Sequence, residues 1–201
     1  FNPAVAIGID TSSAGLGFGW CAVYTAFELA GAALAAVAFK LVRPGQFGGE
    51  AEPGAAAKLL SEFLGTFILV LTVGLNVLAK SPAAAFSIAA SLMCMIFALG
   101  DVSGAHFNPA VTLVIKLCGR NKISTPDVAS YMVAQVAGGI TAGFTYAFIY
   151  SGKSFPLGPG GAHTLGNAGV AEVVFTFVLC YVVLAVAISE RTASPEFFGL
   201  A

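Results

Sequence analysis

Five apolar runs, each about long enough to cross the hydrocarbon core of a membrane as a helix, constrain this chain more than any other feature. The runs are too long for membrane β-strands and lack the alternation of apolar and polar residues that such strands show. Only 9% of the residues are charged, against roughly a quarter in soluble domains. We therefore predict an all-α integral membrane protein. The runs cover residues 20–41, 58–79, 83–100, 128–150 and 168–188.

The charges exclude one class of partner and suggest an orientation. A net charge of -1 excludes a basic nucleic-acid-binding protein. If the five runs cross in alternation, seven lysines and arginines fall on one side and two on the other. We expect the seven-residue side to face the cytoplasm, because cytoplasmic loops carry an excess of basic residues. The seven are Lys40, Arg43, Lys58, Lys116, Arg120, Lys122 and Arg191, and the two are Lys80 and Lys153.

Three sequence patterns occur twice. Phe-Asn-Pro-Ala-Val stands at residues 1–5 and again at 107–111, and a Tyr-xxx-Glu/Gln-xx-Gly pattern follows each copy. Glu-xxx-Thr-Phe begins at Glu62 and again at Glu172. Three runs lie from the first of these glutamates to the second, and an odd number of crossings turns the second copy upside down. The sequence therefore predicts an inverted repeat, which is common in membrane transport proteins.

The Asn-Pro-Ala motifs predict the starts of two short helices. Asn is a strong N-cap residue, and Pro suits the first helical position. The second helix should run from Pro109 to Leu117, too short to cross a bilayer. Two inverted copies meeting at mid-membrane would span it together, with two positive helix ends and the amides of Asn2 and Asn108 at the pore centre. Such an arrangement repels cations and excludes protons. The motifs are Asn2-Pro3-Ala4 and Asn108-Pro109-Ala110.

The signature of a known family surrounds the second motif. The ten residues Ser103-Gly-Ala-His-Phe-Asn-Pro-Ala-Val-Thr112 look like the first signature loop of the major intrinsic proteins, the aquaporins and glyceroporins. Segments 62–67, 134–139 and 172–177 resemble that family's first, third and fourth helices. The resemblance implies an inverted-repeat helical bundle with two re-entrant half-helices. It also implies a passive channel for water or small uncharged solutes such as glycerol or urea, assembled as a homotetramer in the lipid bilayer without a cofactor.

The order of these segments differs from that of the family. Residues 58–201 resemble helices 1–4, the first half-helix and the start of helix 5. Residues 1–43 resemble the second half-helix and helix 6, and the Gly/Pro/Glu-rich residues 44–57 would be a linker. Either the chain is a slice across two units fused in tandem, or the order is permuted. We expect the slice, because a permuted protein would still need a complete helix 5.

The resemblance assigns roles to the loop and to two carboxylates. Glu62 and Glu172 would accept hydrogen bonds from backbone amides of the two re-entrant loops, which lipid cannot satisfy. Carbonyl groups of the first loop would line the cytoplasmic half of the pore. These loop residues are Gly104, Ala105, His106 and Phe107.

Two positions suggest a selectivity filter of low polarity. Val5 stands where the family usually has the arginine that narrows the filter. Ile88 aligns with a second filter position that is often aromatic in water-selective members. The resemblance therefore implies a filter without a fixed charge and without a tight water-only constriction.

Acidic residues inside the runs keep two alternatives open. An intramembrane carboxylate is costly and suggests a function by default, so Glu28, Glu62 and Glu172 are compatible with a proton-coupled transporter. For Glu28, where the family usually has Pro, we expect a buried hydrogen bond. The other alternative is a non-conducting membrane scaffold. We predict neither an enzyme nor a metal site, because no nucleophile–base pair and no close cysteine spacing is visible.

Overall fold

A computed structural model describes the chain as two compact helical units, Phe1–Glu52 and Pro53–Ala201. The division falls within residues 44–57, the predicted linker. Seven α-helices and no strand occur among the described residues, which are 2–49, 52–120, 122–190 and 199. Phe1 of the first repeated motif, Arg191 of the basic side and most of the predicted start of helix 5 lie outside them.

The smaller unit is a helical hairpin made of α1 (Pro3–Ser12) and α2 (Trp20–Val42). Asp10, buried near the end of α1, closes the hairpin. Its Oδ2 accepts hydrogen bonds from the backbone N–H groups of Gly19 at 2.8 Å and Cys21 at 2.9 Å. A helix start has N–H groups without partners and a partial positive charge, so the carboxylate caps α2 and ties it to α1.

The larger unit contains five of these helices. They are α3 (Ala55–Leu78), α4 (Ala84–Ser103), α5 (Pro109–Leu117), α6 (Thr125–Ile149) and α7 (Leu165–Val183), which a π-helical turn extends over Leu184–Ile188. With α2, the four long helices make five segments long and apolar enough to cross a membrane, which confirms the five predicted runs. Several helices extend up to three residues past the predicted runs. The runs were defined by apolar residues alone, whereas helices such as α6 and α7 begin at polar caps, Ser124 and Thr164.

Helices α3 and α6 pack closely because glycines stand at their contact. A Cβ atom on Gly138 would lie 2.5 Å from the carbonyl oxygen of Phe63, and a Cβ atom on Gly74 would overlap the ring of Tyr146. Small residues allow the backbones of membrane helices to approach in this way. Helix α5 packs against α6 and α7 through a buried cluster: Val111, Ile115, Ile123, Tyr131 and Cys180.

Polar side chains join α3 to α4. Thr72 Oγ1 lies 3.1 Å from Ser91 Oγ, and Asn76 Nδ2 donates to Ser87 Oγ at 3.0 Å. Hydrogen bonds between side chains are a common contact between membrane helices. They fix which face of α4 turns towards α3 and leave another face to line a cavity.

Candidate functional site

The chain between α4 and α5 adopts an irregular conformation that needs support from its surroundings. Gly104, at the end of α4, has φ 88°, while Ala105 and Phe107 have φ 51° and 49°. Left-handed conformations are uncommon for residues with a side chain and persist where neighbouring structure holds them. We call residues 104–108 the loop.

The carboxylate of Glu62 supplies most of this support. Its Oε1 accepts hydrogen bonds from Ser103 Oγ at 2.6 Å and from the backbone N–H of His106 at 3.0 Å. Its Oε2 accepts from the backbone N–H of Phe107 and from Gln135 Nε2, both at 2.8 Å. Glu62 has no exposed surface. Two loop amides that lipid could not satisfy therefore find an acceptor inside the protein.

Phe107 anchors the loop to α3. Its carbonyl oxygen accepts from Thr66 Oγ1 at 3.1 Å. Its buried ring lies against Gly65, where any Cβ atom would overlap it. On the other side, the Tyr131 hydroxyl of α6 donates to the carbonyl of Ser103 at 2.9 Å. Helices α3 and α6 thus both support the loop.

Both Asn-Pro-Ala motifs start short helices, as predicted. Asn2 Oδ1 accepts from the backbone N–H of Ala4 at 2.9 Å, and Asn108 Oδ1 accepts from that of Ala110 at 2.8 Å. Pro follows each cap at the first helical position, and α5 has the predicted bounds. Because each amide oxygen is engaged, each amide nitrogen remains as a donor to other groups.

In the larger unit, α4, α7 and the loop surround a cavity of about 1020 Å³. Gly104, Ala105, His106 and Asn108 contribute the loop's part of the lining, whereas Phe107 does not line it. A site of this kind, mostly apolar with a few polar groups, is typical of small-molecule recognition. Apolar lining residues include Ala89, Met93, Phe97, Phe175, Leu179 and Val182.

Other predicted site residues lie away from this cluster. Val5, on the first turn of α1 with Pro3 and Ala4, is 52% exposed. Ile88 is half-buried on α4 and is not among the residues that line the cavity. Glu172 is exposed on α7. The filter role of the two apolar residues and the loop-supporting role of Glu172 stay predictions.

Four polar residues that contact Glu62, His106 or the chain next to the loop had no role assigned from the sequence: Ser103, Thr112, Tyr131 and Gln135. Thr112 is wholly buried and Gln135 is 1% exposed. A polar residue inside an apolar run is itself a signal of function, and Gln135 carries that signal. Its partners come from α3 and α5, and no local pattern identifies them.

Comparison with known proteins identifies the family of this chain. The family model described as major intrinsic protein matches residues 51–201. The chain belongs to the major intrinsic protein family. Together with its five apolar helices, this membership makes it a multi-pass integral membrane protein with the all-α fold of that family.

Plant and bacterial aquaporins are among the relatives of this major intrinsic protein. Aquaporin NIP1-4 of Oryza sativa subsp. japonica is 36% identical over 144 residues, which are 66% of this chain and 51% of the relative. Aquaporin NIP1-1 of Arabidopsis thaliana is 33% identical over 160 residues, covering 72% and 53%. Aquaporin Z of Photorhabdus laumondii subsp. laumondii is 32% identical over 170 residues, covering 72% and 70%. The chain spans about half the length of the plant relatives.

Proposed function

We propose that this chain belongs to a passive transmembrane channel for water or small uncharged solutes. The observation that carries the proposal is the start of α5, where the Asn108-capped helix end opens on the cavity. The amide nitrogen of Asn108 and the partial positive charge of the helix end favour an oxygen atom of a neutral solute and repel a cation. The relatives' name, aquaporin, supports water as one solute.

Proton exclusion follows from the same feature in this proposal. A water molecule whose oxygen accepts hydrogen bonds from the donors at the helix end cannot also accept one from the next water, so the chain of waters that would carry a proton is interrupted there. Asn2 caps α1 in the same manner and would serve an equivalent half-helix. That each amide faces the centre of a pore, and that the protein forms homotetramers, also belongs to this proposal.

The contacts of Glu62 argue against the proton-coupled alternative. All four of its partners are donors, and Glu62 is not among the residues that line the cavity. A carboxylate that relays protons needs access to the transport path. We therefore assign Glu62 to loop support.

Flux through the purified protein in liposomes tests the proposed function. We expect osmotic water permeability several-fold above that of protein-free liposomes, without dependence on a proton gradient and without movement of charge. Stopped-flow light scattering measures the water flux, and a pH-sensitive dye inside the liposomes measures protons. Solute uptake coupled to protons would establish the transporter instead, and absence of all flux would favour the scaffold.

A substitution at Val5 tests the low-polarity filter. In the Val5→Arg variant we expect the ratio of glycerol to water permeability to fall by about tenfold, because the guanidinium narrows the path and is always charged. Val5→Leu is the matched control, since it adds bulk without charge, and it should change the ratio far less. Equal ratios in Val5→Arg and the wild type would remove Val5 from the filter.

A further inference from the structure

Two buried side chains connect Glu62 to the ring of His106. Gln135 Nε2 lies 2.8 Å from Glu62 Oε2 and 2.9 Å from Thr112 Oγ1. Thr112 Oγ1 lies 3.1 Å from His106 Nδ1. Glu62 and Thr112 have no exposed surface, Gln135 is 1% exposed and His106 is 8% exposed. Water does not compete for these hydrogen bonds, so the chemistry of each group fixes their direction.

The direction of these hydrogen bonds is set by the carboxylate of Glu62. An amide nitrogen has two hydrogens and no acceptor, so Gln135 donates one to Glu62 and the other to Thr112. The reversed amide would bring its oxygen against a carboxylate oxygen, with no proton between them. The orientation of Gln135 therefore follows from Glu62 and not from the ring.

The hydroxyl of Thr112 transmits this direction to the ring. Its oxygen accepts from Gln135, so its single proton needs an acceptor elsewhere. Among the hydrogen bonds of the described residues, the remaining side-chain partner of this hydroxyl is His106 Nδ1. Thr112 therefore donates to Nδ1, which must be unprotonated, and the ring proton of neutral His106 is on Nε2.

The protonated nitrogen lies beside Gly104, a residue that lines the cavity. A Cβ atom on Gly104 would lie 3.4 Å from His106 Nε2, so this edge of the ring runs along the glycine backbone. Gly104, His106 and Asn108 line the same cavity. An Nε2–H group at this edge of the ring would add a second donor to that of the Asn108 amide.

We propose that Gln135 is a positioning residue that acts through Thr112 to hold His106 in the Nε2–H tautomer, so that the pore wall presents a donor to an oxygen atom of the passing solute. The use of this donor rests on the proposed channel function, whereas the tautomer itself does not. A measurement of the tautomer therefore succeeds or fails separately from a measurement of flux.

Nitrogen NMR of the protein in lipid bilayers tests the tautomer. The chain has two histidines, so a His163→Gln background leaves His106 as the single ring signal from ¹⁵N-labelled histidine. In mildly alkaline buffer, where imidazole is neutral, we expect one protonated nitrogen, Nε2, and a through-space contact from Nδ1 to the Thr112 hydroxyl proton. A ring protonated on Nδ1, a mixture of tautomers, or the absence of that contact would overturn the proposal without any further variant.

Substitutions in the series of hydrogen bonds from Glu62 to His106 test the role of Gln135. In Gln135→Leu and Thr112→Val we expect a shift from one tautomer to a mixture of both, while Thr112→Ser keeps the hydroxyl and should restore the wild-type spectrum. Thr141→Val is the matched control, because the Thr141 hydroxyl is exposed and donates to the Ala137 carbonyl. An unchanged Nε2–H tautomer in both Gln135→Leu and Thr112→Val would show that another contact sets it.

Discussion

Glu62→Gln is expected to destabilise the protein by about 3 kcal/mol or more and to abolish most of the flux. Each oxygen of the Glu62 carboxylate accepts two hydrogen bonds. Whichever way a glutamine side chain turns, its NH₂ group faces a backbone N–H, that of His106 or that of Phe107, and leaves it without an acceptor. A buried donor left without its acceptor costs roughly 1–3 kcal/mol, and each hydrogen bond to a charged group contributes about 1.5–3 kcal/mol.

Unfolding in mixed detergent micelles, followed by circular dichroism, measures the stability of this variant, and liposome swelling measures its flux. Glu190→Gln is the matched control, because the Glu190 side chain is 84% exposed and pairs with Arg120 at the surface. Exposed ion pairs contribute about 0–1 kcal/mol, so this control should retain both stability and flux. Wild-type stability in Glu62→Gln would contradict the anchoring role of the carboxylate.

Gly138→Ala is expected to separate α3 from α6 and to lower the unfolding free energy by about 1–3 kcal/mol, the usual cost of overpacking. The added methyl group would lie 2.5 Å from the carbonyl oxygen of Phe63 and 3.2 Å from the amide nitrogen of Phe67. Both are backbone atoms, so no side-chain rotation relieves the contact. Since α3 carries Glu62, the loop should move with it and the flux should fall.

The neighbouring glycine provides a control on the same helix. A Cβ atom on Gly139 would have Val70 Cγ2 as its nearest neighbour, at 3.8 Å, an ordinary contact. Gly139→Ala should be neutral or slightly stabilising, because alanine favours the helix by up to about 1 kcal/mol over glycine. Equal stability in the two variants would mean that α3 and α6 have room to separate at no cost.

Local features of the sequence predicted the helices well. Long apolar runs require helices in lipid, where every backbone group must be satisfied within the segment. The bounds of α5 were predictable because Asn108 and Pro109 are a strong start signal at a known offset. The ten-residue signature loop was similarly local, and it indicated the family that the comparison then established.

The loop was predicted less completely. The resemblance implied that Phe107 lines the pore with its three predecessors, and this stays a prediction. The structure adds that its ring lies against Gly65 and that its carbonyl oxygen accepts from Thr66. The alternating left-handed conformations of Ala105 and Phe107 decide this direction. The residues of the loop do not specify those backbone angles by themselves, because the contacts that hold them come from α3 and α6.

The sequence by itself determined the spans, the two capped short helices and the family, because each depends on hydrophobic length or on residues a few positions apart. Only the tertiary structure decided which side chains join the loop amides at Glu62 and how His106 is oriented. Gln135 lies 73 positions from Glu62 in the chain, and His106 lies 44. Such contacts form only when α3, α5 and α6 pack together, since their geometry comes from the close approach at Gly65 and Gly138 rather than from any local pattern.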